Sequence, residues 1–302
     1  MMPKKIINTR GVYEFVNLLW STCRGMTNNT IILNCCNTKS IDLSLMAPLG
    51  LVLTKLKSNK NKIYFRGMNR TIKNKLIKAG FIGQNINSDE DIFQNYIKYK
   101  TFNGDSNDIF REYIVAQLKE LKDLEAINLL ISRIMELFIN VKMHARINNK
   151  NRYSNKEVFS GGEYYKEENY IVFSVANNGM TLKQNIEKDI KGKLQRECDY
   201  IKWALQKSNS TRKTDKDGPG GLGLYLLVEL VKECQGVLIV CSGKGFYKFS
   251  AVDTNENEDL DFKCEFPGTV ITVKIPIEYI PVDTRKVNGE MIFNMETLLK
   301  DV

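Results

Sequence analysis

The amino-acid sequence predicts a mixed α/β protein of 302 residues, with a small α/β unit followed by a larger one. Strand and helix patterns alternate over residues 30–81, which is typical of a small α/β unit. From residue 108, apolar side chains recur at helical spacing, and two strand-like runs follow them. After residue 217, a glycine-rich segment leads into an apolar helix, and three further strand candidates complete the second unit.

The first unit is predicted from four elements. TIILNCC (30–36) is a strand candidate rich in Ile and Leu, and KIYFRG (62–67) is the second strand. Between them, residues 44–62 form an amphipathic pattern with a basic end, although Pro48 restricts the first turn of the helix. Residues 68–81 are predicted as a second amphipathic helix with a glycine at its end.

The boundary between the units is predicted in the polar stretch 83–107, which contains turn formers and little periodicity. We therefore predict a domain at 1–90, a linker at 91–107, a second domain at 108–280 and a C-terminal tail at 281–302.

The second unit begins with a long helix whose apolar residues recur between 127 and 141. A charged segment, 183–217, separates its first strands from the glycine-rich helix. A polar, acidic stretch, 253–263, is expected to be a loop. The strand candidates are EVFSGGEYY (157–165), YIVFSVANNG (170–179), VLIVCSG (237–243), FYKFSAV (246–252) and TVITVKIPI (269–277).

Composition excludes several classes of protein. Hydrophobic content of 43% and charged content of 26% are ordinary for a soluble globular protein, and no run of about 18 apolar residues predicts a membrane span. We also expect no signal peptide, because no apolar run follows the basic start. The seven cysteines form no CxxC pair and there is one histidine, so the sequence argues against zinc and favours reduced thiols in a cytoplasmic protein.

The net charge of +9 raises the alternative of a nucleic-acid surface. However, the basic residues are spread among Asn and acidic residues, and no stretch combines basic clusters with stacking aromatics. A solvated surface is the interpretation we prefer.

Three polar residues form a stripe along the predicted long helix. Glu136, Asn140 and His144 follow at four-residue intervals, and His144 is the only histidine. Four residues advance a helix by about 400°, so the stripe drifts slowly and lies roughly opposite the apolar ridge. One face can therefore pack while the other presents polar groups to a cleft; an ordinary amphipathic helix is the alternative.

Three other segments carry weaker signals. Gly220, Gly221 and Gly223 precede an apolar helix, where backbone N–H groups can bind a phosphate, although neither a P-loop nor a Rossmann fingerprint is present. A hydrophobic strand ends in Asn-Asn-Gly at 177–179, and Gly-Thr at 268–269 precedes the last strand. Each segment alone is also typical of an ordinary turn.

In their order and spacing, these segments resemble the GHKL (histidine kinase-like) ATP-binding domain, which has the Bergerat fold. The resemblance covers residues 108–277 and rests on a Glu-x3-Asn-x3-His helix, a strand ending in Asn-Gly, a charged segment, Gly-Gly-Leu-Gly-Leu at a helix start, and Gly-Thr before a strand. It implies an α/β sandwich with a mixed, largely antiparallel sheet that binds ATP and Mg²⁺.

The resemblance also implies roles for single residues. Asn140 matches the Mg²⁺-binding asparagine, and Glu136 matches the general base for water or the residue that positions a kinase acceptor. His144 matches a position near the phosphates. Gly179 and Thr269 match residues that hold the adenine, and the phosphates are matched by Gly220, Gly221, Gly223 and Leu224. Residues 183–217 match a mobile lid, in which Thr211, Arg212 or Lys213 reaches the phosphates.

One departure from the family concerns base recognition. The adenine-reading aspartate of the family falls on Asn177 in this chain. An amide oxygen accepts a hydrogen bond from the adenine amino group less strongly than a carboxylate does, and the amide NH₂ could instead donate to a guanine carbonyl. Base choice therefore stays open. Thr181 replaces the second glycine of the same motif.

Residues 31–81 resemble a STAS domain, the anti-sigma-factor antagonist fold, so the whole chain resembles bacterial STAS–GHKL fusion proteins. In that family, a serine at the start of the helix after the second strand can be phosphorylated. Ser44 lies near that position, and a plain N-cap serine beside Asp42 is the alternative.

These resemblances imply a nucleotide-dependent regulatory switch with ATP, Mg²⁺ and a protein partner, and with slow ATP hydrolysis as an option. The alternatives are a Ser/Thr protein kinase of the anti-sigma-factor type and a non-catalytic interaction module with a degraded pocket. A histidine kinase is disfavoured because its phosphoacceptor would need a second histidine. GHKL proteins often dimerise, which makes a homodimer a further expectation; no membrane or nucleic-acid partner is expected.

Overall fold

The computed structural model describes residues 1–83, 96–103, 106–118, 124–144, 157–190, 193–207, 209 and 223–280. Within its helices, the side chains at 124–127, 136, 140–144 and 223 lie outside this description. The predicted mixed α/β class is confirmed, because helices on both sides cover one central sheet.

The central sheet has five strands in the order β5-β6-β7-β9-β8, and each neighbouring pair is antiparallel. Strands β6 and β7 are almost continuously buried, as expected for strands with both faces covered. The strands are β5 (Tyr96–Asn103), β6 (Glu157–Tyr165), β7 (Tyr170–Asn177), β8 (Val237–Ser250) and β9 (Glu258–Pro276).

Within the part of the chain that the structure describes, five helices cover one face of the sheet. Phe173 and Val175 of β7 point into this helical layer, where they meet Leu137 and Phe138 in one buried core. Alternate residues along a strand point to opposite faces, so the odd-numbered residues of β7 define the helical side. The helices are α4 (Asn107–Leu118), α5 (Leu124–His144), α6 (Leu182–Ile190), α7 (Glu197–Ala204) and α8 (Gly223–Glu233).

The opposite face is covered by the N-terminal part of the chain. Phe159, Ala176 and Val270 of the sheet share a second buried core with residues of the helices α1 and α2. Two short parallel pairs, β1–β3 and β2–β4, complete this N-terminal layer. Its elements are β1 (Lys5–Ile6), α1 (Arg10–Cys23), β2 (Thr30–Asn34), β3 (Ser40–Ile41), α2 (Met46–Ser58), β4 (Lys62–Arg66) and α3 (Arg70–Lys78).

The structure differs from the sequence-based expectation in the region predicted as a linker. Residues 96–103 form β5, an edge strand of the central sheet. Ile97 and Phe102 are both buried in the helical layer, although they are five positions apart and would lie on opposite faces of a regular strand. A register shift between Ile97 and Lys100 brings both side chains to one face, and this shift hides the strand from a period-two pattern.

The acidic stretch expected to be a loop also contains regular structure, because β9 begins at Glu258. Its exposed Asp261 accepts hydrogen bonds at 2.8 Å from the backbone N–H groups of Glu197 and Cys198, which caps the start of α7. The candidates VLIVCSG and FYKFSAV are one strand, β8, with register shifts around Gly243. Helix α1 is an element that the sequence patterns did not predict.

A partly buried ion pair joins the N-terminal layer to the sheet. Nζ of Lys75 on α3 lies 2.6 Å from Oε1 of Glu163 on β6 and also donates to the carbonyl of Ile41 at 2.8 Å. Glu163 further accepts from the backbone N–H of Leu43 and from the hydroxyl of Tyr165. Burial raises the pKa of Glu163, and the neighbouring Lys75 opposes that rise.

Replacing Lys75 with methionine is expected to lower the free energy of unfolding by about 2 kcal/mol at pH 7, because Glu163 keeps its charge without its cation. A raised folded pKa favours the folded state at low pH, and this contribution is lost as pH rises through it. The loss should therefore shrink as the pH falls through the raised pKa of Glu163 and disappear near its ordinary value of 4.5, as measured by urea titration from pH 4 to 8. Lys78→Met, an exposed position on α3, is the control; equal losses in both variants would contradict the prediction.

Candidate functional site

A row of three polar side chains crosses the end of the sheet on its helical side. Asn177 of β7 pairs in register with Thr269 of β9, which pairs with Ser242 of β8. The neighbouring row on the same face of the sheet is apolar and consists of Val175, Ile271 and Val240. All three polar side chains are buried, so the row places hydrogen-bonding groups on an otherwise apolar floor.

The row is connected by hydrogen bonds. The amide oxygen of Asn177 accepts from the backbone N–H of Thr269 at 2.9 Å. The hydroxyls of Thr269 and Ser242 are 2.7 Å apart, and Ser242 also accepts from the backbone N–H of Leu182 at 2.8 Å. Leu182 is the first residue of α6, so α6 begins on top of one end of the row.

Gly268 permits the close approach of the two central strands at the row. Its φ of +153° is a conformation that favours glycine, and an added Cβ would lie 2.0 Å from the carbonyl oxygen of Asn177 and 3.3 Å from the amide nitrogen of Gly179. The Gly-Thr motif in the sequence therefore has a structural reason, since Gly268 lets Thr269 reach Asn177.

The predicted polar stripe lies on one helix. Positions 136, 140 and 144 all belong to α5, which contacts α8 and β7 on the helical side of the sheet. The side chains of Glu136, Asn140 and His144 lie outside the described part of the chain. Their roles toward Mg²⁺ and phosphate stay predictions.

The glycine-rich motif is described only at its end. Gly223 is the first residue of α8, and Leu224 is buried in the helical core. Gly220, Gly221 and Thr211, together with Arg212 and Lys213, lie outside the described residues. Gly179 follows β7 and is partly buried beside Gly268 in the middle of β9.

The segment predicted as a mobile lid is partly a packed element. Within 183–217, residues 197–204 form α7, whose Tyr200 and Ile201 are fully buried. The cap from Asp261 and the ion pair between Lys202 and Asp259 hold α7 against β9. The prediction of a lid is therefore wrong for α7, because its few apolar residues belong to the core.

Ser44 is buried between the N-terminal layer and the sheet. Its hydroxyl lies 2.6 Å from a carboxylate oxygen of Asp42 and accepts from the side-chain amide of Asn8 at 2.7 Å. A kinase can reach this hydroxyl only if the N-terminal layer separates from the sheet. Phosphorylation of Ser44 stays a prediction that requires such an opening.

Two residues at the site were missed by sequence reasoning. Ser242 lies next to Thr269 only because β8 and β9 pair, and the sequence carries no sign of that register. Lys55 of α2 donates to the side-chain oxygen of Asn178, next to Asn177, although the two are 123 residues apart. An amphipathic pattern in the sequence predicts neither of these contacts.

Comparisons with known proteins give no assignment: no family model, no curated protein and no solved structure matches the chain. Among the described helices, none is long and apolar enough to cross a membrane. Within the same described part, His, Cys, Asp and Glu side chains form no group of three that could hold a metal ion. All seven cysteines are free thiols.

Proposed function

We propose that the chain binds ATP with Mg²⁺ on the helical side of the sheet and acts as a nucleotide-dependent regulatory switch of the GHKL type. The observation that carries the proposal is the row of Asn177, Thr269 and Ser242. These side chains offer an amide at the end of β7 and two hydroxyls on β8 and β9, and a nucleobase edge needs such donors and acceptors.

The position of α5 supports the same proposal. Its polar positions 136 and 140 are one turn apart on a helix that packs over β7, the strand that ends in Asn177. An asparagine oxygen suits Mg²⁺, and a glutamate suits general-base attack by water. In this arrangement the base lies over the polar row and the phosphates lie toward α5 and the start of α8. Bound Mg²⁺ would neutralise the phosphate charge.

Binding requires a movement, because Asn177, Thr269 and Ser242 are shielded from solvent in this conformation. Helix α6 covers the Ser242 end through the N–H of Leu182. We propose that α6 moves aside when the base enters, and that the N-terminal layer or a partner protein responds to this change. Slow hydrolysis with Glu136 as the base would reset the switch.

Titration calorimetry of the whole chain with MgATP and with MgGTP tests this function. We expect saturable binding of at least one nucleotide below millimolar concentration, and the preferred base reports how Asn177 reads it. Thr269→Val should weaken binding about tenfold, roughly 1.4 kcal/mol, because one hydroxyl of the row is lost.

Thr272→Val is the matched control for this titration. Thr272 is equally buried in β9, but its hydroxyl bonds Tyr13 and Ser174 on the opposite face of the sheet. Thr272→Val should lower the free energy of unfolding while leaving nucleotide affinity unchanged. No binding by the wild type at millimolar nucleotide, or equal losses in the two variants, would overturn the proposal.

A further inference from the structure

Lys55 connects the N-terminal layer to the turn of the candidate nucleotide site. It lies in the last turn of α2, and its ammonium group donates to Oδ1 of Asn178. Asn178 directly follows Asn177, the first member of the polar row. The two adjacent asparagines thus serve different partners, since Asn177 bonds Thr269 on the sheet and Asn178 bonds the N-terminal layer.

The surroundings of Lys55 show that its ammonium group is held in place. Nζ lies 5.4 Å from the centre of the Trp20 ring on α1, within cation–π range. Burial lowers the pKa of Lys55, and the nearby carboxylate of Glu157 on β6 opposes that effect. Two helices and the start of β6 therefore surround the group that contacts Asn178.

The turn at Asn178 and Gly179 is also held by two strands of the sheet. The backbone N–H of Asn178 donates to the carbonyl of Glu157 at 3.3 Å, and Gly179 lies against Gly268 in the middle of β9. With strands on one side and Lys55 on the other, a shift of α2 relative to the sheet must move the turn or break the Lys55 contact. A moved turn displaces the Asn177 amide from its place beside Thr269.

We infer that Lys55 is a positioning residue that couples docking of the N-terminal layer to occupancy of the nucleotide site. This inference rests on the proposed function and adds its regulation: the layer that responds to the nucleotide holds the base-reading turn. Coupling between two sites is reciprocal, so bound nucleotide must also stabilise the docked position of α2.

The test compares Lys55→Met with Lys57→Met, an exposed lysine on the same helix. Methionine keeps the apolar stem of the side chain and removes the donor, so the buried site stays filled. We expect Lys55→Met to weaken MgATP binding about fivefold in calorimetry, since the turn is free to shift, and Lys57→Met to leave it unchanged. Asn178→Ala should give the same loss, and the double variant should be no weaker than either single variant.

Amide hydrogen exchange supplies the reciprocal measurement. Saturating MgATP should slow exchange in α2 of the wild type and of Lys57→Met, but not of Lys55→Met. Losses that multiply in the double variant, or equal protection of α2 in all three proteins, would overturn the coupling. Failure of the wild type to bind nucleotide overturns the proposed function instead, whereas wild-type binding with equal affinity in both lysine variants overturns the coupling alone.

Discussion

Gly268→Ala is expected to lower the free energy of unfolding by about 4 kcal/mol, the largest effect of any single substitution considered. The added Cβ would lie 2.0 Å from the carbonyl oxygen of Asn177, and a φ of +153° is unfavourable for alanine. Strain and overpacking each cost about 1 to 3 kcal/mol, and here they act together because backbone cannot move aside as a side chain can. Urea-induced unfolding followed by circular dichroism measures the loss.

Gly11→Ala is the matched control for this substitution. Gly11 lies in the first turn of α1, and an added Cβ would meet nothing within 4 Å. Alanine is the better helix former, so this variant should be unchanged or more stable by up to about 1 kcal/mol. A Gly268→Ala protein with wild-type stability would show that the backbone of Asn177 does not lie close enough to Gly268 to exclude a Cβ atom.

Asn140→Ala is expected to weaken MgATP binding about 100-fold, roughly 2.7 kcal/mol. The proposed role of its side-chain oxygen is to bind the Mg²⁺ ion that bridges the phosphates, and alanine has no such ligand. Calorimetry in Mg²⁺ and in EDTA is the measurement, because the variant should bind ATP in Mg²⁺ only as well as the wild type binds it in EDTA.

Two further variants define what a failure of this prediction means. Asn74→Ala, at an exposed asparagine of α3, should leave affinity unchanged. Glu136→Gln should keep MgATP affinity but slow any ATP hydrolysis about 100-fold, the usual contribution of a general base. If Glu136→Gln weakens binding as much as Asn140→Ala does, the two residues do not have separate roles and the proposed assignment is wrong.

Much of the fold could be predicted from local patterns. Strands β6 and β7 were both predicted from the sequence, and their predicted and observed limits agree closely. The edge strand β5 was missed because a register shift places Ile97 and Phe102 on one face. The first residues of β9 were missed because Asp259 and Asp261 are balanced by Lys202 and the start of α7, which are distant in sequence.

Only the residues of the candidate site that belong to short sequence motifs could be predicted. Asn177 and Thr269 stand in short motifs, and the structure brings them together across two neighbouring strands. Ser242 and Lys55 depend on pairing and packing between distant segments, which no local pattern encodes. Burial of Ser44 has the same origin, since Asn8 of the N-terminal layer and the sheet enclose it only after the chain has folded.

The covering of the sheet by the N-terminal layer has a consequence for synthesis on the ribosome. Helices α1 and α2 emerge first, but the strands that cover their apolar side chains lie between residues 157 and 276. At 5 to 20 residues per second, the chain from α2 to the end of β9 takes roughly ten to forty seconds to make. During that interval the apolar side chains of both helices that pack on the sheet lack their partners there. The N-terminal layer is synthesised first, but it can complete its packing against the sheet only after the last strand has been made.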